Sequence, residues 1–175
     1  MAISLIRVDD RLIHGQVVLM WSKFRQGDAM ILLVDETISN DNFMKNVYKN
    51  AGNSMGKKVY IFNKEQGIEK LPKAISSEKK YYVISKSIKE LYELSKAGID
   101  FGDEIIVGNQ GMRNNTKKVA NNIYFTEADA EACDYLASKG IKIIFKLIPD
   151  EIGLTWENAK KIFNGGEWVW SLKHY

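Results

Sequence analysis

One cysteine, Cys133, and two prolines, Pro72 and Pro149, are spread over 175 residues. A single thiol excludes an internal disulfide and any paired-cysteine metal cluster, and fits a reducing compartment. Cys133 is expected to be a small buried apolar residue. The scarcity of proline, with no stretch rich in Pro, Gly or Ser, leaves no sign of a linker, and there is no internal repeat. Residues 1–175 are therefore expected to form one domain, since domains typically run to roughly 100–200 residues. Long apolar runs are also missing. Arg7 interrupts the N-terminus before a signal-peptide core can form, and nothing later approaches the roughly 20 residues of a membrane span. The protein is expected to stay soluble inside the cell. Charge of one sign is lacking too: 25 Lys+Arg against 22 Asp+Glu leave +3, too little for a nucleic-acid or membrane footprint. No H-E-x-x-H, paired-cysteine or G-x-S-x-G pattern occurs, which leaves metalloprotease, zinc-module and serine-hydrolase readings without support.

What is present is a recurrence of strand-sized apolar runs: "ISLIRV", "AMILLV", "KVYIF", "YYVIS", "EIIVG", "NIYF" and "KIIFKLI". Helical patterns lie between them, as in βα repeats around a parallel sheet covered on both faces. The expected fold is a three-layer α/β/α architecture. In the first helix Val17, Met20, Trp21 and Phe24 form one stripe, which makes Trp21 a core residue. "SNDNFMKNVYKNAG" is read as a second helix that buries Phe43, Met44, Val47, Tyr48 and Ala51 and stops at Gly52. Ser87 with Glu90 forms a capping box, Thr126 caps the run ending at Gly140, and "TWENAKKIFNGG" forms a last helix with Trp156, Ala159, Ile162 and Phe163 on one side. Residues 64–80 give no clear pattern. The aromatic tail, within residues 165–175, is expected to dock on the domain or on a partner subunit.

In open α/β sheets ligands bind beyond the carboxyl ends of the strands. That rule selects Asp9, Asp10, Arg11 and His14 after the first strand, Asp35 and Glu36 after the second, Ser85 and Lys86 after the fourth, and Asn109, Gly111 and Arg113 after the fifth. Only the first group contains a nucleophile suited to neutral pH. His14 directly precedes Gly15 and the helical run from Gln16, so its ring is expected near unsatisfied backbone N–H groups, a setting for an anion. The field of the helix end, worth about 0.3 to 1 kcal/mol per charge, favours an oxyanion there beside a neutral, nucleophilic imidazole. Arg11 can grip two phosphoryl oxygens. Three extended residues span about 10 Å, so Arg11 reaches the His14 ring only if "RLIH" folds back, with Leu12 and Ile13 as buried anchors. Asp9 or Asp10 is then expected to orient the arginine or the far ring nitrogen. His174, close to the C-terminus, has no such setting.

"IRVDDRLIHGQVVLMWSK" closely resembles the opening of the mannose/fructose/sorbose-type enzyme IIB subunits of the bacterial phosphoenolpyruvate-dependent sugar phosphotransferase system. The likeness extends through "MILLVDE" and "IIVGNQGM" to about residue 148. It departs from the usual pattern in "GNQGM", where many relatives have Gly-Gly-Met, in the proline-free link "AGNSMGKKV", and in the long tail. The resemblance implies a mostly parallel sheet of about six strands plus an antiparallel edge strand, for which "KIIFKLI" is the natural candidate. It also implies that His14 accepts a phosphoryl group at Nδ1 from a phosphohistidine of an enzyme IIA protein or domain. The phosphoryl group then passes to sugar entering through the membrane IIC and IID subunits. Arg11 and the amides of Gly15 and Gln16, supported by Asp9 and Asp10, fit the charge stabilisation that this transfer needs. Neither metal nor organic cofactor is required. The implied location is cytoplasmic, at the permease complex, and oligomeric state is left open, a homo-oligomer included. A non-catalytic regulatory or nucleotide-binding module on a similar fold is one competing reading, since fold alone does not fix function; the other, a receiver-like signalling domain, needs an aspartate after the third strand and a lysine late in the sheet. "KVYIFNKE" and "IIVGNQGM" supply neither.

Overall fold

Strands β1 (Ile3–Val8), β2 (Ala29–Leu33), β3 (Lys58–Phe62), β4 (Tyr81–Ser85), β5 (Glu104–Val107), β8 (Lys142–Phe145) and β9 (Leu154–Thr155) form one sheet in the order β3-β2-β4-β1-β5-β8-β9. All neighbours are parallel except β8 and β9, which pair antiparallel at the edge. The computed structural model describes residues 2–166, except for the side chains of residues 16 and 17. The tail from residue 167, His174 included, lies outside the described residues.

Every residue of β2 and β4 is buried, as expected of strands covered on both faces. Alternate side chains divide between two cores. Ile6, Val8, Ile31, Leu33, Val83, Ile105 and Val107 pack with Leu71 of α4 (Lys64–Ile75), Leu91 of α5 (Ile88–Lys96), Leu136 of α6 (Glu127–Ser138) and Phe163 of α7 (Trp156–Phe163). Leu5, Met30, Leu32, Tyr82, Ile84 and Ile106 pack with Val18 and Trp21 of α1 (Gly15–Ser22) and with Tyr48 of α3 (Asn42–Ser54). The expected three layers are present, and Cys133 is buried in the first core.

Several elements differ from the sequence reading. "KIIFKLI" is not the antiparallel strand: α6 serves as a crossover that delivers β8 parallel to β5, and the chain reverses in the loop that follows, through the turn closed by Glu151 N–H on Ile148 O (3.3 Å) and through Gly153 (φ 78), before β9. "NIYF" lies outside the main sheet, because β7 (Ile123–Phe125) turns back on β6 (Lys117–Ala120) through Asn122 (φ 55) to form a separate hairpin. In α3, Asp41 is the cap, and Phe43 (74% exposed) and Val47 face solvent. The helix is turned by its packing on β3, where Gly52 is buried inside it: a Cβ there would lie 2.1 Å from Val59 Cγ2. Gly52 is thus a close-packing glycine and not a stop. Phe24 falls beyond the end of α1 and is exposed. Helix α4, unread in the sequence, starts with a capping box of Asn63 and Gln66 and carries Pro72 within it.

Candidate functional site

The adjacent strands β1 and β5 mark where the connections diverge, since β1 leads through α1 to β2 on one side and β5 leads through α6 to β8 on the other. A crevice is expected there. The loop leaving β1 is bonded to both flanking strand ends: Asp9 N–H donates to Ser85 O (2.9 Å) and Asp10 N–H to Asn109 O (3.0 Å). It then turns sharply, with Leu12 N–H donating to Asp9 O (2.9 Å) and Leu12 held at φ 57. A left-handed conformation in a leucine costs on the order of 1–3 kcal/mol. The Leu12 side chain is buried against the α1-side core, and a fully buried leucine returns about 1.5–3 kcal/mol, which offsets the strain. The required compact loop is therefore present, with Leu12 buried and Ile13 packed at the edge of the core.

The two aspartates have different tasks. Asp9 is 1% exposed and stands between two guanidinium groups: Oδ2 accepts from Arg7 Nη2 (2.9 Å) and Nε (3.3 Å), while Oδ1 accepts from Arg11 N–H (3.2 Å) and Arg11 Nε (3.3 Å). Asp10 points the other way and accepts from Asn109 Nδ2 (2.8 Å) and Gly111 N–H (2.7 Å), tying the β1 loop to the β5 loop. The "GNQG" segment thus joins the site through Asp10. Gln110, fully buried, adds donations from Nε2 to Lys86 O (3.0 Å) and Asn109 O (2.8 Å).

His14 is the N-cap residue of α1 but makes no side-chain cap hydrogen bond, and no acidic residue occupies the first turn. Helices α2 (Glu36–Asn40) to α6 are each closed by a capping side chain. The N-terminus of α1, beginning at Gly15 and Gln16, therefore presents N–H groups without a side-chain acceptor beside the imidazole. A Cβ at Gly15 would have nothing within 4 Å. Nδ1 of His14 is buried and has no hydrogen-bond partner among the described residues. Arg11 and His14 share one folded loop, but the hydrogen bonds of the Arg11 side chain go to Asp9 and not to the imidazole.

A cleft of about 690 Å³ opens beside this loop, walled in part by Asp10, Arg11, Lys86, Asn109, Arg113 and Asp129. Its cations are paired: Lys86 with Asp35 (2.8 Å) and Arg113 with Asp129 (2.9 Å). Asp35 also caps α2 through Ile38 N–H. Burial pushes the Asp35 carboxyl up, but its hydrogen bonds from Lys86 and Ile38 outweigh this and hold it below the usual carboxylate range. The N-termini of α5 and α6 are closed by Glu90 and Asp129. Two of the cleft's cations share their carboxylate and keep charge to offer: Arg11, its side chain 44% exposed, shares Asp9 with Arg7, and Lys89, 70% exposed, shares Glu93 with Lys64. Among the described residues no group of three or more His, Cys, Asp or Glu is placed to hold a metal ion, and no helix is long and apolar enough to cross a membrane.

Sequence reasoning missed Arg7. It is 1% exposed, donates Nη1 to Lys146 O (3.3 Å) and lies 5.8 Å from the centre of the Trp21 ring. Burial pulls its guanidinium below the usual arginine value, and Asp9 partly restores it. The available signal was an arginine inside an apolar strand, two residues before an aspartate.

Fold and site define a mostly parallel α/β/α protein whose polar chemistry is gathered on the loop after its central strand, around the one described histidine. The profile of the PTS system sorbose subfamily IIB component matches residues 3–166, and the chain belongs to that family of sugar phosphotransferase components. It is 30% identical over 156 residues to the sorbose-specific EIIB component of Lacticaseibacillus casei, covering 85% of this chain and 88% of the relative. It is 25% identical over 143 residues to the mannose-specific EIIAB component of Escherichia coli (strain K12), covering 82% of this chain and 43% of that protein. The IIBSor domain of the sorbose permease from Klebsiella pneumoniae superposes with a TM-score of 0.82 at 22% identity, covering 95% of this chain and 99% of the domain.

Proposed function

We propose that His14 is the phosphoryl acceptor of this IIB component. A phosphohistidine on an enzyme IIA partner, its ring protonated on the nitrogen remote from phosphorus, is attacked by the lone pair of His14 Nδ1: the donor N–P bond breaks with its electron pair staying on the departing ring, which leaves as neutral imidazole, and the new N–P bond forms while Nε2 of His14 keeps its proton. The phosphoryl group then passes to a sugar entering through membrane IIC and IID subunits. The observation that carries the reading is the imidazole at the head of an uncapped helix, in the same folded loop as Arg11, whose exposed charge is not neutralised by a carboxylate of its own. Transfer through a loose, metaphosphate-like transition state needs positioning and charge stabilisation. Arg11 and the amides of Gly15 and Gln16 supply the charge, Asp9 holds Arg11, and Asp10 holds the loop. The EIIAB architecture named for the mannose-specific relative supports a IIA partner, on the same chain or a separate one. The chain then acts as one unit, in the cytoplasm, beside the permease.

Because Nδ1 is turned inward, acceptance there requires the ring to rotate. The test is incubation with phosphoenolpyruvate, the general phosphotransferase proteins and a matching IIA, followed by ³¹P NMR of the product. An acid-labile, alkali-stable Nδ1-phosphohistidine is expected, and it should vanish in His14→Ala. A label that survives this substitution would refute the assignment of His14, and a label on Nε2 would refute the ring rotation.

A further inference from the structure

We propose that Arg7, which never meets the phosphoryl group, is the positioning residue of this site: it fixes Asp9 from below so that Asp9 aims Arg11. This rests on the reading of His14 and Arg11 given above. The geometry is that of a single buried guanidinium touching both arms of the site. Along one arm, Nη2 and Nε hold Asp9 Oδ2, leaving Oδ1 to hold Arg11 Nε and its backbone N–H. Along the other, the guanidinium lies against Trp21, on the helix that His14 opens. The remaining nitrogen, Nη1, is anchored on Lys146 O after β8, so the group is braced from a second strand.

A lysine cannot make these contacts together, because it offers one compact ammonium in place of a planar fork. Charge sharing adds a second effect. One carboxylate hydrogen-bonds two guanidinium groups, so the Arg7–Asp9–Arg11 chain carries a net positive charge, offset in part at the Arg7 end by the field of Glu151. Arg7 is sealed from solvent while the Arg11 side chain is not, so an incoming anion meets that surplus at Arg11. With Asp9 and Arg11 alone, the pair would be neutral. Arg7 thus acts through Arg11 and not on the substrate.

A double-mutant cycle on the intact protein tests this. Phosphoryl acceptance is measured against concentration of phosphorylated IIA for wild type, Arg7→Lys, Arg11→Ala and the double variant, with circular dichroism confirming the fold. A displacement near 1 Å can cost about 100-fold in rate. Arg7→Lys is expected to lower kcat by about 10- to 100-fold, with KM for the donor within about threefold. In the Arg11→Ala background the same change is expected to alter kcat by less than about twofold. Should Arg7→Lys not fold, the pair Arg7→Met with Asp9→Asn, which removes both buried charges together, takes its place in the same cycle, with a loss of kcat expected only while Arg11 is present. Equal losses in both backgrounds, or an unaltered kcat in the folded single variant, would overturn the positioning role while leaving the His14 reading intact. If wild type itself takes no label on His14, the functional reading falls and the positioning role with it.

Discussion

Gly108→Ala is the sharpest test of the site's foundation. Gly108 follows β5 and donates its N–H to Val8 O (2.7 Å), which places its Cα directly against Arg7. An added Cβ would lie 2.0 Å from Nη2, 2.3 Å from Cζ and 2.9 Å from Nε. The guanidinium has no free direction in which to retreat, being held by Asp9, Lys146 O and the Trp21 ring. The methyl group therefore expels it from Asp9, which stays buried with a bare Oδ2. Separating a buried ion pair in this way costs about 3–5 kcal/mol, a large share of the roughly 5–15 kcal/mol that holds a domain together. At about 2–4 °C per kcal/mol for a chain of this size, melting should fall by roughly 6–20 °C. Differential scanning calorimetry measures this, with Gly15→Ala as the control: a Cβ there meets nothing, and its melting point should stay within about 2 °C of wild type. A Gly108→Ala protein that melts with wild type would show that Arg7 has room to spare, and the close fit at its centre would be refuted.

Two further outcomes follow from the rest of the fold. Burial, with Asp129 and Asp134 adding to it, holds the Cys133 thiol well above its usual value; it should resist a thiol reagent at pH 8 in the native protein and react fully in denaturant, and fast native labelling would contradict its place in the core. Asp134 joins α6 to α7 by accepting from Trp156 Nε1 (2.8 Å) and Lys160 Nζ (2.7 Å). Burial raises its carboxyl, but the bonds from Lys160 and Trp156 outweigh that and place it below its usual value of 3.8. Its stabilisation is therefore complete above the unfolded pKa of about 3.9 and is lost as pH falls through the lower folded value. With both partners near half exposed, the effect should be at most about 1 kcal/mol. The melting difference between wild type and Asp134→Asn should shrink below pH 4, and a constant difference from pH 3 to 6 would rule the linkage out.

What could be read from the chain alone was local. The Ser87 and Glu90 box, the Thr126 cap and the βα alternation depend on residues a few positions apart, and the structure shows each of them. The orientation of α3 was not legible, because Phe43 and Val47 offer one apolar face and Tyr48 with Gly52 another, and contact with Val59 on β3 decides between them. Helix α4 was obscured by Pro72, and β9 by having only two residues. Within the site, His14, Arg11 and the aspartates stood out because they are crowded into six positions. Whether Asp9 or Asp10 faces Arg11 was decided by partners far along the chain. Asn109 and Gly111 draw Asp10 away, while Arg7, fitted against Gly108 and Lys146, claims Asp9.

The turn at Leu12 has a mechanical consequence. Its backbone strain and its side-chain burial are of similar size, about 1–3 and 1.5–3 kcal/mol, and they are gained or lost together. The buried side chain is thus a peg for the turn: it holds the strained backbone that brings Arg11 N–H and Nε to Asp9 Oδ1. Arg11, one residue before the peg, owes its place in part to a leucine that takes no part in the chemistry.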